Sequence, residues 1–278
     1  KSSKGRRGAA DKDDDADDSL DDDVDDDCLA GEIGEFTDEG TEKFLVSLSK
    51  LAGLVCRVNP AEASKDIHII VKNLKKDFTS EDDSLARLAL MTLVEIFTHL
   101  PSKNIPSTVL ELASKFYDLS SNESLEVKAA CILGFGVFAQ ANPAIFQKVA
   151  SKCVNRIYEI AKQLQAEDAD LATQQLLKDN ICLSIAKILS ASKTHIPAQF
   201  IPNWLDSIPT SNNAKKTQEQ IEEFIKILTN KEHREYVLGE QNQNLQKVKN
   251  AIERAVNAEA VTRTLRSQLD SVRSLLPN

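Results

Sequence analysis

Aromatic side chains make up only 5% of this 278-residue chain, with one Trp and three Tyr, and the residues that break helices are few, at nine Gly and eight Pro. Against abundant Ala, Leu, Ile, Lys, Glu and Gln, that scarcity predicts a chain that is nearly all helix. No segment alternates strictly between apolar and polar residues, so no sheet is expected. Catalytic signatures are absent as well. His68, His99, His195 and His233 are far apart, without HExxH, HxxxH or a Cys/His cluster, so no metal site is expected. There is no GxSxG elbow, P-loop or dinucleotide GxGxxG; Gly134-Phe135-Gly136 sits inside a helical pattern and lacks the later glycine. Neither an enzyme activity nor a cofactor follows from such a sequence. A pI near 5.1, with no basic stripe interleaved by aromatics, argues against direct nucleic-acid binding. No secretory signal, transit peptide or membrane span is evident, and the chain reads as soluble. The five cysteines form no CxxC pair and mostly sit in apolar helical stripes, which suits buried thiols in a reducing compartment.

What the chain does contain is organised around residues 123–146, ESLEVKAACILGFGVFAQANPAIF. From Ala129 to Ala139 no charge or amide interrupts it. A surface helix keeps one polar face, so a segment apolar all round predicts a helix packed on more than one side. It is shorter than the ~20 apolar residues needed to span a bilayer. Gly134 and Gly136 in its middle each cost about 1 kcal/mol against Ala, which predicts another helix approaching closely there.

The first 27 residues are of a different kind. KSSKGRRGAA carries Lys1, Lys4, Arg6 and Arg7, and twelve aspartates then fall between Asp11 and Asp27, so that with Lys12 included the segment nets −7 of the chain's −9. Such a run buries too little apolar surface to offset its chain entropy, and residues 1–28 are expected to be disordered. The Lys4–Arg7 cluster reads as part of that solvated tail. Opening at Lys1 without Met suggests a processed or truncated piece of something longer, whereas Pro277-Asn278 reads as the chain's own C-terminus.

From residue 29 to 278 the periodicity is helical, weakly at first around Ile33 and Phe36. Residues 41–58 place Phe44, Leu45, Leu48, Leu51, Leu54 and Val55 on one stripe, ended by Asn59-Pro60. Further helices are expected over 67–78, 84–100, 107–119, 124–141, 144–164, 171–190, 196–208, 218–228, 245–256 and 261–276. Connections as short as TSED, PSKN, SSNE and AEDA favour antiparallel neighbours. Ala86-Arg87, Val127-Lys128 and Leu177-Lys178 superpose at offsets of 41 and 50, each opening a helix with apolar turns to follow. A two-helix repeat of about 40–47 residues is the period of HEAT and armadillo solenoids, whose pairs must stack to bury their faces. The fold class expected is all-α, a HEAT-repeat α-α superhelix.

Individual residues carry a resemblance further. VKAACILGFGVFAQANP at 127–143 resembles a HEAT helix near the carboxyl end of the importin-β (karyopherin-β) nuclear transport receptors, in the branch that imports ribosomal proteins and histones. NICLSIAKIL at 180–189, FIPNWLDSIP at 200–209 and VLGEQNQNLQKV at 237–248 agree in order, and in that branch an acidic run also precedes the last repeats. The resemblance covers about residue 21 to the end. It implies the last five or six of about twenty HEAT repeats, with Trp204 as the family's Trp before a Leu-x-x-Leu/Ile-Pro turn, here a packing residue. The HEAT ladder of acidic and basic residues survives only partly, as Glu81 with Arg87 and Asn122 with Lys128, while Ala172 stands opposite Lys178.

The resemblance implies a receptor that shuttles between cytoplasm and nucleus. Its implied partners are basic cargo such as ribosomal proteins and histones, Phe-Gly nucleoporins, and the GTPase Ran, whose main contacts lie in repeats this chain does not contain. Phe-Gly peptides are expected between outer helices in the region 107–164. Basic cargo is expected on Asp13, Asp14, Asp15, Asp17, Asp18, Asp21, Asp22, Asp23, Asp25, Asp26 and Asp27, which would speed its arrival electrostatically. A HEAT scaffold of another kind, a phosphatase or translation-factor subunit, shares the helices, the acidity and the lack of chemistry.

Overall fold

The computed structural model describes residues 38–164, 170–210 and 213–277. The expected disordered segment 1–28, the Lys4–Arg7 cluster, the aspartates and the Ile33–Phe36 stretch all lie outside the described residues, as does the side chain of Leu45.

Every regular element among the described residues is helical. In chain order they are α1 (Asp38–Val58), α2 (Pro60–Asp77), α3 (Asp83–His99), α4 (Ser107–Leu112), α5 (Ser114–Asp118), α6 (Leu125–Ala141) and α7 (Pro143–Phe146). They continue as α8 (Ala150–Gln163), α9 (Leu171–Ala191), α10 (Ile201–Asp206), α11 (Ala214–Thr229), α12 (Lys231–Leu238), α13 (Leu245–Asn257) and α14 (Arg263–Arg273). Two layers result. The inner one stacks α1, α3, α6, α9, α11 and α14, each against the next. The outer one carries α2, the broken pair α4–α5, α8, α10 and α13, which complete antiparallel pairs with the inner helices that follow them. This is the stacked helix-pair architecture that the 3.6 period and the short connections predict.

The central segment behaves as its composition requires. α6 lies between α3 and α9 and buries Val127, Cys131, Ile132, Phe135, Val137 and Phe138, which point around its whole circumference. Gly136 is where α9 comes closest: a Cβ there would stand 2.7 Å from the Ser184 Cα. At Gly134 it would stand 2.2 Å from the Phe116 ring, which α5 delivers to the other side of the helix. The close approach lets two α9 side chains bond the α6 backbone. Asn180 Nδ2 donates to the Ala129 carbonyl at 2.9 Å and Ser184 Oγ to the Ile132 carbonyl at 2.6 Å. Phenyl rings then run across the stack: Phe97 meets Phe116 and Phe138, with centroids 6.2 and 5.3 Å apart, and Phe138 meets Phe146 at 6.1 Å.

Helix starts follow side-chain caps. Asp82, Ser124, Asn142, Asp170, Asn213, Asn230 and Thr262 each accept from a backbone N–H of the first turn.

Three expectations are corrected. First, α2 begins at Pro60, not at residue 67, because a proline's missing N–H is harmless in a first turn and only Ala63 is buried ahead of Ile67. Second, the helices expected over 107–119 and 144–164 are broken, into α4 and α5 at Ala113 and into α7 and α8 around Val149. Third, α12 is an additional helix that the periodicity does not announce, since only Val237 and Leu238 of its eight residues are buried. The stripe of α1, whose orientation the periodicity leaves open, faces outward. α3 packs on the opposite side, burying Ser49 and Cys56, while Phe44, Leu51, Val55 and Val58 are 54, 55, 49 and 74% exposed.

The ladder across repeats uses other partners than the expected ones. Arg87 Nη1 bonds Glu126 at 2.5 Å and Asn122 Nδ2 donates to Asp83 at 2.8 Å, both linking α3 to the start of the next repeat. Further along, buried Asp179 takes the acidic role that Ala172 cannot fill. It accepts from Gln175 at 2.7 Å and from Thr210 Oγ1 at 2.8 Å, with Lys216 3.9 Å away.

Candidate peptide-binding groove

Between outer helices α8 and α10, with inner helix α9 as its floor, lies a cavity of about 640 Å³. The size falls in the range of ligand pockets, ~300–1,000 Å³. The floor is Ile181, Cys182 and Ile185, spaced so that one stripe of α9 faces the gap. One wall is Val154, Ile157, Tyr158 and Ala161 of α8, whose apolar stripe at helical spacing buries one edge in the core and leaves the other to the groove. Facing it, Ile196 and Phe200 come from the segment that leads into α10 and Trp204 from α10 itself.

Trp204 anchors the geometry. Its Nε1 donates to the Cys182 carbonyl at 3.2 Å and its ring meets Phe224 edge-on at 5.9 Å, so that the indole is fixed with one edge on the cavity. It is a packing residue, as expected, and lines the groove as well. Tyr158 and Phe200 close on each other across the mouth with ring centroids 4.7 Å apart, and Lys162 Nζ stands 4.3 Å over the Tyr158 ring. At 40% exposure Tyr158 is the aromatic most open to a visitor. The polar lining residues are Lys162, Lys178, Gln174, Asn203, Ser207 and Thr210. Burial pushes the Cys182 thiol up to about 12, which leaves it a neutral floor atom and not a nucleophile. An apolar slot with a fixed indole, a partly exposed phenol and polar lining groups can take an aromatic or aliphatic side chain and bond the peptide on either side of it.

The region 107–164, in which such a slot is expected, supplies one wall only, the α8 side; the other wall, at 196–210, lies one repeat further on. The run Ile181, Cys182, Ile185 reads in sequence as an apolar helix, and nothing in its spacing says that part of the stripe stays open. The eleven aspartates expected to meet basic cargo lie outside the described residues. Among the described residues no group of three His, Cys, Asp or Glu gathers as for a metal ion, and no helix is long and apolar enough to cross a membrane.

No protein-family model and no curated protein matches the chain. Solved structures do. The structure of Kap121p bound to Nup53p matches with a TM-score of 0.61 and 18% identity over 87% of this chain and 21% of that one. A triple charge-reversal mutant of Kap121p gives 0.60 and 17% over 88% and 21%. An engineered protein gives 0.51 and 16% over 86% and 93%. The chain thus spans about a fifth of the length of Kap121p. At these identities the likeness is one of fold, and the fold of this chain is the helical-repeat solenoid that Kap121p also has.

Proposed function

We propose that this chain is part of a nuclear transport receptor of the importin-β type, in the branch that imports ribosomal proteins and histones, and supplies its carboxyl-terminal HEAT repeats. The observation that carries the reading is the groove between α8 and α10, an aromatic-walled slot on a fold shared with Kap121p, a protein solved with the nucleoporin Nup53p. Two of the four sequence segments that resemble the family, 180–189 and 200–209, supply lining residues of the groove. Phe-Gly repeats would insert their phenyl rings between Tyr158, Phe200 and Trp204, over Ile181 and Ile185. Basic cargo would be drawn by the aspartates from Asp13 to Asp27. Ran would act through repeats outside this chain, and the protein would shuttle between cytoplasm and nucleus. It would have no catalytic activity.

The test is capture on beads carrying Phe-Gly peptides, with Ser-Gly peptides as control. The reading expects retention on Phe-Gly beads only, reduced in a Tyr158→Ala variant whose melting is unchanged. Equal retention on both beads, or none, would leave the chain a helical-repeat scaffold of another kind.

A further inference from the structure

The groove between α8 and α10 is chemically unequal at its two ends. Its aromatic centre is held at one level, where Tyr158 and Phe200 meet with centroids 4.7 Å apart and Trp204 donates to the Cys182 carbonyl. α8 and α9 run antiparallel, so Lys162, one turn after Tyr158, and Lys178, one turn before Cys182, lie beyond that centre in the same direction. The chain leaving α10 reaches the same end, because Thr210 bonds Asp179 through its hydroxyl and accepts from Gln175 at its carbonyl, both in the first turns of α9. Gln174, Ser207 and Thr210 thereby join the two lysines. In the opposite direction the lining is Val154, Ile185 and Ile196, all aliphatic.

Both lysines are exposed and, among the described residues, neither forms an ion pair, while the carboxylates around them are engaged elsewhere. Glu159 pairs with Arg156 at 3.1 Å, buried Asp179 accepts from Gln175 and Thr210, Asp206 pairs with Lys247, and Asp170 caps α9 by accepting from the Thr173 N–H. No carboxylate lines the groove among the described residues. Two cations at one end of an apolar slot, in a chain of net −9, favour an occupant that carries a negative group at that end. Four residues of helix rise about 6 Å, a distance that an extended peptide covers in two residues at ~3.3 Å each. We propose that the groove selects a peptide whose aromatic residue has an acidic residue two positions away, the ring seated among Tyr158, Phe200 and Trp204 and the carboxylate against Lys162 and Lys178. The inference rests on reading the groove as a peptide slot and adds the charge of its occupant.

Three peptides test it: Ser-Asp-Gly-Phe-Gly-Asp-Ser, and the same sequence with Asn or with Lys in place of both Asp. Each is titrated into the full chain at physiological ionic strength and followed by the emission of Trp204. The net charge of the chain alone would rank them Lys, Asn, Asp from tightest to weakest. The groove predicts the reverse, with the Asp peptide about three- to tenfold tighter than the Asn peptide, as two exposed charge contacts allow. In a Lys162→Gln, Lys178→Gln variant whose circular-dichroism melt is unchanged, the preference for Asp over Asn disappears. Equal affinities for the Asp and Asn peptides, with saturable emission changes for both, would overturn the inference and leave the aromatic slot standing. Emission silent to all three peptides would overturn the slot reading along with it. A preference for Asp that survives in the double variant would place the carboxylate elsewhere and overturn the inference. So would a preference that emerges only after Glu167→Gln and Asp168→Asn, the mark of the chain's own carboxylates on the lysines.

Discussion

Replacing Gly136 by Ala should destabilise the chain although the same change in an open helix stabilises it. Elsewhere in a helix interior the gain is about 1 kcal/mol. Here the new Cβ would stand 2.7 Å from the Ser184 Cα, where ordinary contact begins at 3.4 Å, and the obstacle is backbone. α6 and α9 must part by several tenths of an ångström, at the ~1–3 kcal/mol typical of overpacking. Parting also stretches the bonds from Asn180 to Ala129 and from Ser184 to Ile132, each contributing about 1 kcal/mol. After the helix-propensity gain is subtracted, a net loss of about 1–3 kcal/mol remains, and Leu at this position should cost more. Gly53 is the internal control. Its Cβ would meet side chains and not backbone, the Glu95 Oε2 at 2.5 Å, the His99 Cδ2 at 2.9 Å and the Glu95 Cβ at 3.0 Å, so Gly53→Ala should cost less than Gly136→Ala. Urea and thermal unfolding of both variants beside the parent decide the matter. A Gly136→Ala protein as stable as the parent, or a Gly53→Ala protein that loses more than it, would refute the assignment of a backbone contact.

Three further outcomes follow from charge and burial. Burial of Glu223 alone would raise its pKa, but Lys187 and then Lys226 outweigh this and hold it below its ordinary 4.5. Its contribution to stability is therefore full above 4.5 and is lost as pH falls through the lower folded value. The melting difference between parent and Glu223→Gln should be constant from about pH 7 to 5 and shrink below 4.5; a difference that grows on acidification would contradict the ion pairs. Burial raises all four described thiols, Cys153 and Cys182 to about 12, so maleimide at neutral pH should leave Cys56, Cys131, Cys153 and Cys182 unmodified until the protein unfolds, as read by peptide mass spectrometry. Deleting residues 11–27 should slow association of a histone or ribosomal-protein tail at low salt and much less at physiological ionic strength, where the Debye length is ~8 Å; stopped-flow rates equal at low salt with and without the segment would remove its role in capture.

How much of the fold is legible in the sequence depends on how many sides of a helix are covered. α6 is legible because an apolar circumference interrupted by two glycines suits only a helix covered all round, and the approach of Ser184 to Gly136 is what those glycines permit. α1 is legible as a helix but not in its orientation, since its periodicity reveals a stripe and not which neighbour meets it; Ser49, Gly53 and Cys56, small residues on the other side, admit α3. α12 and the start of α2 escape because helices that bury two residues or one per two turns are held by caps and connections, which leave little periodic signal. The groove is least legible of all. Ile181, Ile185 and Tyr158 look like core, and only the separation of α8 from α10 leaves them a free edge.

The central claim, that the slot between α8 and α10 receives the aromatic side chain of a peptide, is tested most directly by Trp204, the one tryptophan of the chain. Its indole lines the slot while its Nε1 stays bonded to the Cys182 carbonyl, so a change in the slot reaches its emission. Titration with a Phe-Gly peptide should shift the emission saturably to shorter wavelength as water leaves the cavity, and Tyr158→Ala should weaken that response. Emission unchanged by Phe-Gly peptide at concentrations where the same peptide is retained by the chain would place its binding elsewhere and contradict the claim.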